Sequence, residues 1–325
     1  MVDARESAIL PFGFIGHVRP GSSGTNLRSL QFHALRADAI DFDRARGWIE
    51  CCATHHGKRC NPDRHGPRRR IPHFRVIDCT TRSVVDSLSE NVEFVALSYV
   101  WGLPIEQGGC DDHNRVGKAE RVVEDAIRVT TALGYKYLWV DRHCIVQDST
   151  DIRQKQLLAM NKVYENAEVT IVVAAGQDSS FGIPGVSSAR SRLRQPPARV
   201  HGHVLVTVPR EPCDIARRSI WWTRGWTFQE GLLSRRLLMF TEHEVSYECE
   251  AMVARESASL PTGVHRVAAT MYPLHEHSRV FPRKSANSGS GFIWSRITEY
   301  AERHLTHDSD ILNAMLGIMQ TFARQ

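Results

Sequence analysis

The sequence predicts an α/β protein with a Rossmann-like, mostly parallel sheet and flanking helices, and three observations carry that expectation. Short apolar runs at residues 94–99, 137–140 and 169–174 have the length and composition of buried strands. Residues 121–133 and 151–164, which lie between them, place apolar side chains at helical spacing. An alternation of strand, helix, strand, helix, strand calls for parallel pairing through right-handed crossovers.

Taken in order, the first 40 residues mix Gly, Ser and Pro with isolated hydrophobics and read as an arm ahead of a domain spanning 41–325. Residues 41–60 read as a helix with Phe42, Ala45, Trp48 or Ile49, and Cys52 near one face, broken at Asn61-Pro62. The basic, proline-punctuated stretch 64–74 is a solvated loop leading into a short strand at 74–78. The core motifs then occupy 93–249. After the third buried strand come a Gly-, Ser- and Pro-rich connection at 176–191, a strand at 203–208, a helix at 222–233 and a strand or hairpin at 236–249. Residues 254–291, rich in Ser, His, Arg and Pro, read as a surface excursion. Helices at 293–304 and 310–322 make a C-terminal extension over 292–325, the second burying Ile311, Leu312, Met315, Leu316 and Met319.

A chain of 325 residues can bury a full core without disulfides. Its formal charge of +5, from 41 basic and 36 acidic residues, permits an anionic partner without demanding one. The apolar run at 169–175 falls far short of the ~20 residues that span a bilayer, so no membrane span is expected. The N-terminus lacks the basic-then-apolar order of a secretory signal. Eight cysteines without the pattern of a small secreted domain point to reduced thiols, and a cytoplasmic location follows.

Ligands of open parallel sheets bind beyond the carboxyl ends of the strands. Ser98, Tyr99, Trp101 and Gly102 close the first strand, and Asp141, Arg142, His143 and Cys144 close the second. Arg224, Trp226, Gln229 and Glu230 come from the predicted helix, where Trp226 and Glu230 lie four apart on one face. Each has a plainer reading. Trp101, Trp139, Trp222 and Trp226 serve equally well as core, Asp141 as a cap, and Glu230 as an ion-pair partner of Arg224, Arg235 or Arg236. His143 and Cys144, adjacent on a strand, would point to opposite faces, which argues against a thiol–imidazole dyad.

Two metal readings use other groupings. Asp141, Asp148 and Glu230 with His143 offer hard ligands for Mg²⁺, and with basic stretches at 64–75 and 190–199 they would suit a nuclease acting on RNA or DNA. Cys52, His56 and Cys60 at i, i+4 and i+8 are candidate ligands of a structural zinc, with His55, His65 or Cys79 as a fourth. The glycine-bearing loop at 176–185 matches neither a Walker A sequence nor the dinucleotide fingerprint.

The blocks EFVALSYVWG at 93–102, GYKYLWVDRHCIVQD at 134–148 and WWTRGWTFQEGLLSRRLLMF at 221–240 closely resemble the three signature blocks of the HET (heterokaryon incompatibility) domain family, and the resemblance extends over about 48–320. It implies an intracellular effector of programmed cell death in filamentous fungi, engaged by an upstream recognition protein or a fused regulatory domain. The run Trp226-Thr227-Phe228-Gln229-Glu230 is also similar to the Trp-Cys-x-x-Glu helix of NAD-cleaving TIR domains, with Thr in place of Cys. That similarity implies NAD as substrate and Glu230 as the catalytic carboxylate. Asp141, Arg224 and Gln229 would orient the substrate, Trp226 or Trp101 would form a ring platform, and a homo-oligomer would complete the site. A non-enzymatic signalling scaffold is the remaining alternative.

Overall fold

Runs of apolar residues bounded by turn formers build the sheet from its centre outward. A computed structural model describes residues 14–18, 31–57, 60, 69–86, 91–102, 116–117, 119–187, 191–193, 197–259, 279–281, 289–305 and 310–323. In chain order the elements are β1 (Phe14–Val18), β2 (Gln31–Phe32), α1 (Phe42–His55), β3 (Val76–Asp78), β4 (Ser83–Val85), β5 (Phe94–Ser98), α2 (Arg121–Ala132), β6 (Tyr137–Trp139), α3 (Asp141–Cys144), α4 (Thr150–Leu157), α5 (Met160–Asn166), β7 (Val169–Val173), β8 (Ala198–Val200) and β9 (His203–Val208). They continue with α6 (Pro212–Arg217), α7 (Ile220–Thr223), α8 (Gly225–Leu233), β10 (Arg236–Phe240), β11 (Val245–Cys249), β12 (Val253–Arg255), β13 (Ala258–Ser259), α9 (Gly289–Ala301) and α10 (Ile311–Phe322).

One ten-stranded sheet runs in the order β2-β13-β12-β11-β10-β7-β5-β6-β3-β4. Its centre is the expected parallel unit, β10-β7-β5-β6. Antiparallel strands extend it on both sides, through β11, β12, β13 and β2 at one edge and β3 and β4 at the other. Every residue of β5, β7 and β10 is buried, as a parallel strand covered on both faces requires. Alternate side chains enter two cores: Ile171, Val173, Leu238 and Phe240 pack into one, and Val172, Leu237 and Met239 into the other.

Several predicted elements differ in detail. The helix expected at 151–164 is divided into α4 and α5, and the helix at 222–233 is interrupted at Arg224, whose backbone is extended (φ −86°, ψ 140°). The strand at 203–208 joins β1 and β8 in a separate three-stranded sheet. His143 and Cys144 sit on the short helix α3 rather than on a strand. Much of the excursion at 254–291 lies outside the described residues, but its ends are structural: Ala258 and Ser259 form β13, and Val280 and Phe281 are buried.

The C-terminal helix buries a different face from the one expected. Ala314, Gly317 and Ile318 are buried, whereas Ile311, Leu312, Leu316 and Met319 are exposed and Met315 is half-buried. Ala314 and Gly317 let α10 pack closely on α8 with Ile318 beside them, and Ile311, Leu312, Leu316 and Met319 are left exposed. Among the described residues no helix is long and apolar enough to cross a membrane.

Candidate active site

The site grows from the carboxyl end of β5. Ser98, its last residue, is buried, and its hydroxyl donates to Glu230 Oε2 while accepting the indole N–H of Trp221 at 2.7 Å. A chain Trp221→Ser98→Glu230 thus ties α7, β5 and α8 together.

Glu230 reaches this position because the chain turns sharply before α8. Thr227 Oγ1 bonds the carbonyls of Trp221 and Arg224, the latter at 2.9 Å, and Gly225 N–H donates to His304 O at 2.8 Å. A Cβ on Gly225 would lie 2.5 Å from Leu305 Cδ2, so the close approach of the 304–305 segment requires glycine there.

The second carboxyl comes from the end of β6. Asp141 opens α3, where its Oδ1 accepts from Arg142 N–H at 2.7 Å and its Oδ2 accepts the Trp101 indole N–H at 2.9 Å. Val140 is the N-cap of α3 and makes no side-chain cap bond, so Asp141 sits in the first turn rather than capping it, and its carboxylate anchors an indole. Trp101 is 39% exposed, with the Arg142 guanidinium 5.0 Å from its ring centroid.

Electrostatics sets the two carboxyls apart. Burial, followed by the charge of Asp141, pushes Glu230 up to about 8, against the opposing effects of Ser98 and Arg224. Crowding by protein atoms raises Asp141 to about 6, while hydrogen bonds from Arg142 N–H and Trp101 and the charge of Arg224 pull it back. Near pH 7 the site therefore holds one proton on Glu230 and a largely ionised Asp141, titrating as a pair. Arg224 is the cation felt by both. Arg235 and Arg236, the other candidate partners of Glu230, pair with Glu168 instead.

Three further residues belong to this neighbourhood and were not singled out by the sequence. Tyr164 donates to Leu97 O at 3.2 Å and also faces Glu230. Glu120 binds Arg142 and lies 3.5 Å from His143 Nε2; burial opposes its ionisation, but those two partners hold it down at about 2. Trp221 completes the set. Tyr99 is buried beneath, and its hydroxyl has no hydrogen-bond partner among the described residues. Burial, with Asp141 and Glu120 next, pushes that hydroxyl well above its ordinary value.

Not every predicted site residue converges here. Trp226 gives its indole N–H to Asp310 at 3.2 Å and packs against both cores. Gln229 is buried beneath α10, its amide placed to donate to Ala314 O and accept from Asn161 N–H. Trp139 is buried core, and Trp222 stacks on Phe281 at 5.2 Å. Cys144 is buried, with its sulfur taking Val140 N–H at 3.4 Å, which makes it a packing group. Asp148 is exposed and shares no metal-sized grouping with Asp141 and Glu230. Arg192, in the second basic stretch, is buried against Glu256; residues 64–68 of the first lie outside the described residues.

A cleft of about 690 Å³ opens beyond β7 and β10, lined among others by Asp178, Arg210, Arg218 and His243. It adjoins the β5 end, since a Cβ on Gly102 would meet Asp178 Cβ at 3.4 Å. The loop at 176–185 forms one wall. Gly176 (φ +73°) lies directly under the Phe181 ring, leaving no room for a side chain.

Fold and site together define an α/β protein with a buried glutamic acid and a half-buried aspartate near the carboxyl ends of its parallel strands. Residues 94–230 match the family model described as Heterokaryon incompatibility protein (HET), so this part of the chain is similar to the domain of that family. The match runs from the first residue of β5 to Glu230. No curated protein and no solved structure matches the chain. At the level of the family, the role is in heterokaryon incompatibility.

Proposed function

We propose that this HET domain is an effector of fungal programmed cell death that hydrolyses the nicotinamide–ribose bond of NAD at the Glu230–Asp141 site. The reading rests on one observation: two carboxyls of unequal proton affinity share a site with an exposed indole and a guanidinium. In the reaction the bond from ribose C1′ to the pyridinium nitrogen breaks, and its electron pair leaves on nicotinamide. Positive charge develops on the ribose, where a carboxylate stabilises it. Water adds to C1′ and gives its proton to the second carboxyl, yielding nicotinamide and ADP-ribose.

Each residue has a part in this scheme. Glu230 holds a proton in the free protein, and a cationic ring entering beside it favours its ionised form. Asp141 is already largely ionised and accepts the proton of water. Trp101, bonded to Asp141 through its N–H, offers its exposed face to the ring. Arg224 orients the polar part of the substrate, and the adjoining cleft falls in the ~300–1,000 Å³ range of small-molecule sites. Self-association and an upstream recognition partner belong to the same reading, as does a cytoplasmic location.

The test is nicotinamide release by the full chain at high protein concentration. In Glu230→Gln release falls at least ~100-fold, the loss typical of removing a transition-state charge stabiliser, while circular dichroism is unchanged. Because the carboxylate form of Glu230 is required, wild-type kcat/KM rises with pH and levels off above about 8. A profile that instead falls above pH 8 would make Glu230 a proton donor and exclude a pyridinium leaving group, which needs no proton. Intact NAD together with chelator-sensitive degradation of RNA or DNA in Mg²⁺ would replace the reading with a nuclease. Cell killing without any turnover would replace it with a scaffold.

A further inference from the structure

A second cluster of reactive side chains lies far from the strand ends, at the edge where α1 meets β11. We infer that Cys52, His56, Cys60 and Cys249 form a closed Zn²⁺ site that pins the N-terminal helix to the sheet. The ligand atoms of these four residues lie within 4.8 Å of one another. A tetrahedral zinc with Zn–S near 2.3 Å separates its sulfurs by roughly 3.7 Å, so a small inward movement suffices.

The local fold explains the convergence. Cys52 and His56 are one helical turn apart at the end of α1, and His56 N–H bonds Cys52 O at 3.2 Å. Gly57, at φ +47°, then turns the chain so that Cys60 returns towards them. Cys249 arrives from the last position of β11, 193 residues from His56, and its sulfur lies 3.3 Å from His56 Nδ1. The Cys60 sulfur lies 3.9 Å from the same nitrogen. The three cysteines are buried and His56 is half-buried, so the cluster is largely shielded from solvent.

The donor set suits zinc rather than a hard cation, being three soft thiols and one imidazole. Three thiolates around Zn²⁺ carry a net charge of −1, which needs a buried counter-charge. Arg236 supplies it: its Nε lies 3.2 Å from Cys52 Sγ, its Nη2 donates to Cys60 O at 3.3 Å, and its Nη1 is shared with Glu168. Four protein ligands leave no open position, so the ion is structural. The three-ligand set expected from sequence is completed by Cys249 and not by Cys79, which stands at the end of β3 outside the cluster, nor by His55. His65 lies outside the described residues.

The experiment measures metal in the full chain, purified under reducing conditions with zinc in the medium. We expect about one zinc per chain, released by a mercurial thiol reagent into a zinc-sensitive dye. Replacement with Co²⁺ should give the intense visible bands of a tetrahedral cobalt–thiolate centre. Cys249→Ser should lose the metal while Cys51→Ser, next to the cluster on α1, keeps it. Wild type holding less than about a tenth of an equivalent, together with no cobalt–thiolate bands, overturns the inference whether or not the Cys249 variant folds. Equal metal content in the two variants also overturns it.

Discussion

Glu230 is a carboxyl that the fold keeps protonated, and its protonation has a measurable sign. Its value rises from 4.5 in an unfolded chain to about 8, so between those limits the folded state binds a proton that the unfolded state has released. Stability contributed by this group is fully present below pH 4.5 and is lost as pH rises to 8, by up to about 1.4 kcal/mol per pH unit. Glu230→Gln resembles the protonated form and should flatten that decline, so at pH 8 the variant should melt above wild type, whatever becomes of the proposed activity. If wild type and variant lose stability in parallel from pH 5 to 8, Glu230 is not the group being titrated. Ser98 bears a different burden, since its hydroxyl satisfies both Trp221 N–H and Glu230. Ser98→Ala leaves both buried groups unmatched and should cost about 1–3 kcal/mol in chemical denaturation. Adding Trp221→Phe should cost less than the sum of the two single changes, because the orphaned donor is then gone.

Helix α10 separates what a pattern can show from what packing decides. Its periodicity located it to within a residue, yet side-chain size selected the wrong face. Gly317 is the reason: a Cβ there would strike the Gln229 amide and lie 2.7 Å from Asn161 Cβ. Helix propensity alone makes Gly317→Ala favourable by about 1 kcal/mol, whereas overpacking at this contact costs about 1–3 kcal/mol, so the packing term should dominate. A lowered melting temperature in Gly317→Ala, beside an unchanged one in exposed Leu312→Gln, would establish that α10 docks on its small-residue face. A raised one would restore the face read from hydrophobicity. The same distinction runs through the site. Ser98, Asp141 and Glu230 were legible because they end strands or sit on a helix beside apolar runs. Trp221, Tyr164 and Glu120 were not, because only the tertiary turn before α8 and the crossovers through α5 and α2 bring them to those ends. The parallel centre followed from alternation of strands and helices, but nothing local marks the antiparallel strands β12, β13 and β2 as its continuation.

Across the whole molecule, buried arginine–glutamate pairs hold the outlying segments to that antiparallel edge. Arg255 binds Glu244, Arg279 lies 3.4 Å from Glu248, and Arg192 binds Glu256, each pair with little exposed side-chain surface. Glu256 does the most joining. Its carboxylate accepts Asp41 N–H and Val245 N–H, both at 3.2 Å, while Arg192 also donates to the carbonyls of Arg36 and Ala39. One carboxylate therefore connects the segment entering α1, the start of β11 and the connection after β7. No sequence period reveals a pair 64 residues apart whose partners come from loops. Glu256→Gln strands the Arg192 charge in the interior and should destabilise the protein by about 3–5 kcal/mol. Asp151→Asn, which breaks the exposed Lys155–Asp151 pair, should change stability by less than about 1 kcal/mol. Urea unfolding of the two variants separates these scales, and limited proteolysis of Glu256→Gln should cut earliest around residues 31–41, where the lost contacts lie. Should the Glu256 variant unfold at the wild-type urea concentration, the edge must be held by its apolar contacts and the thiol–imidazole cluster, and the buried ion pair would be a marker of register and not a source of stability.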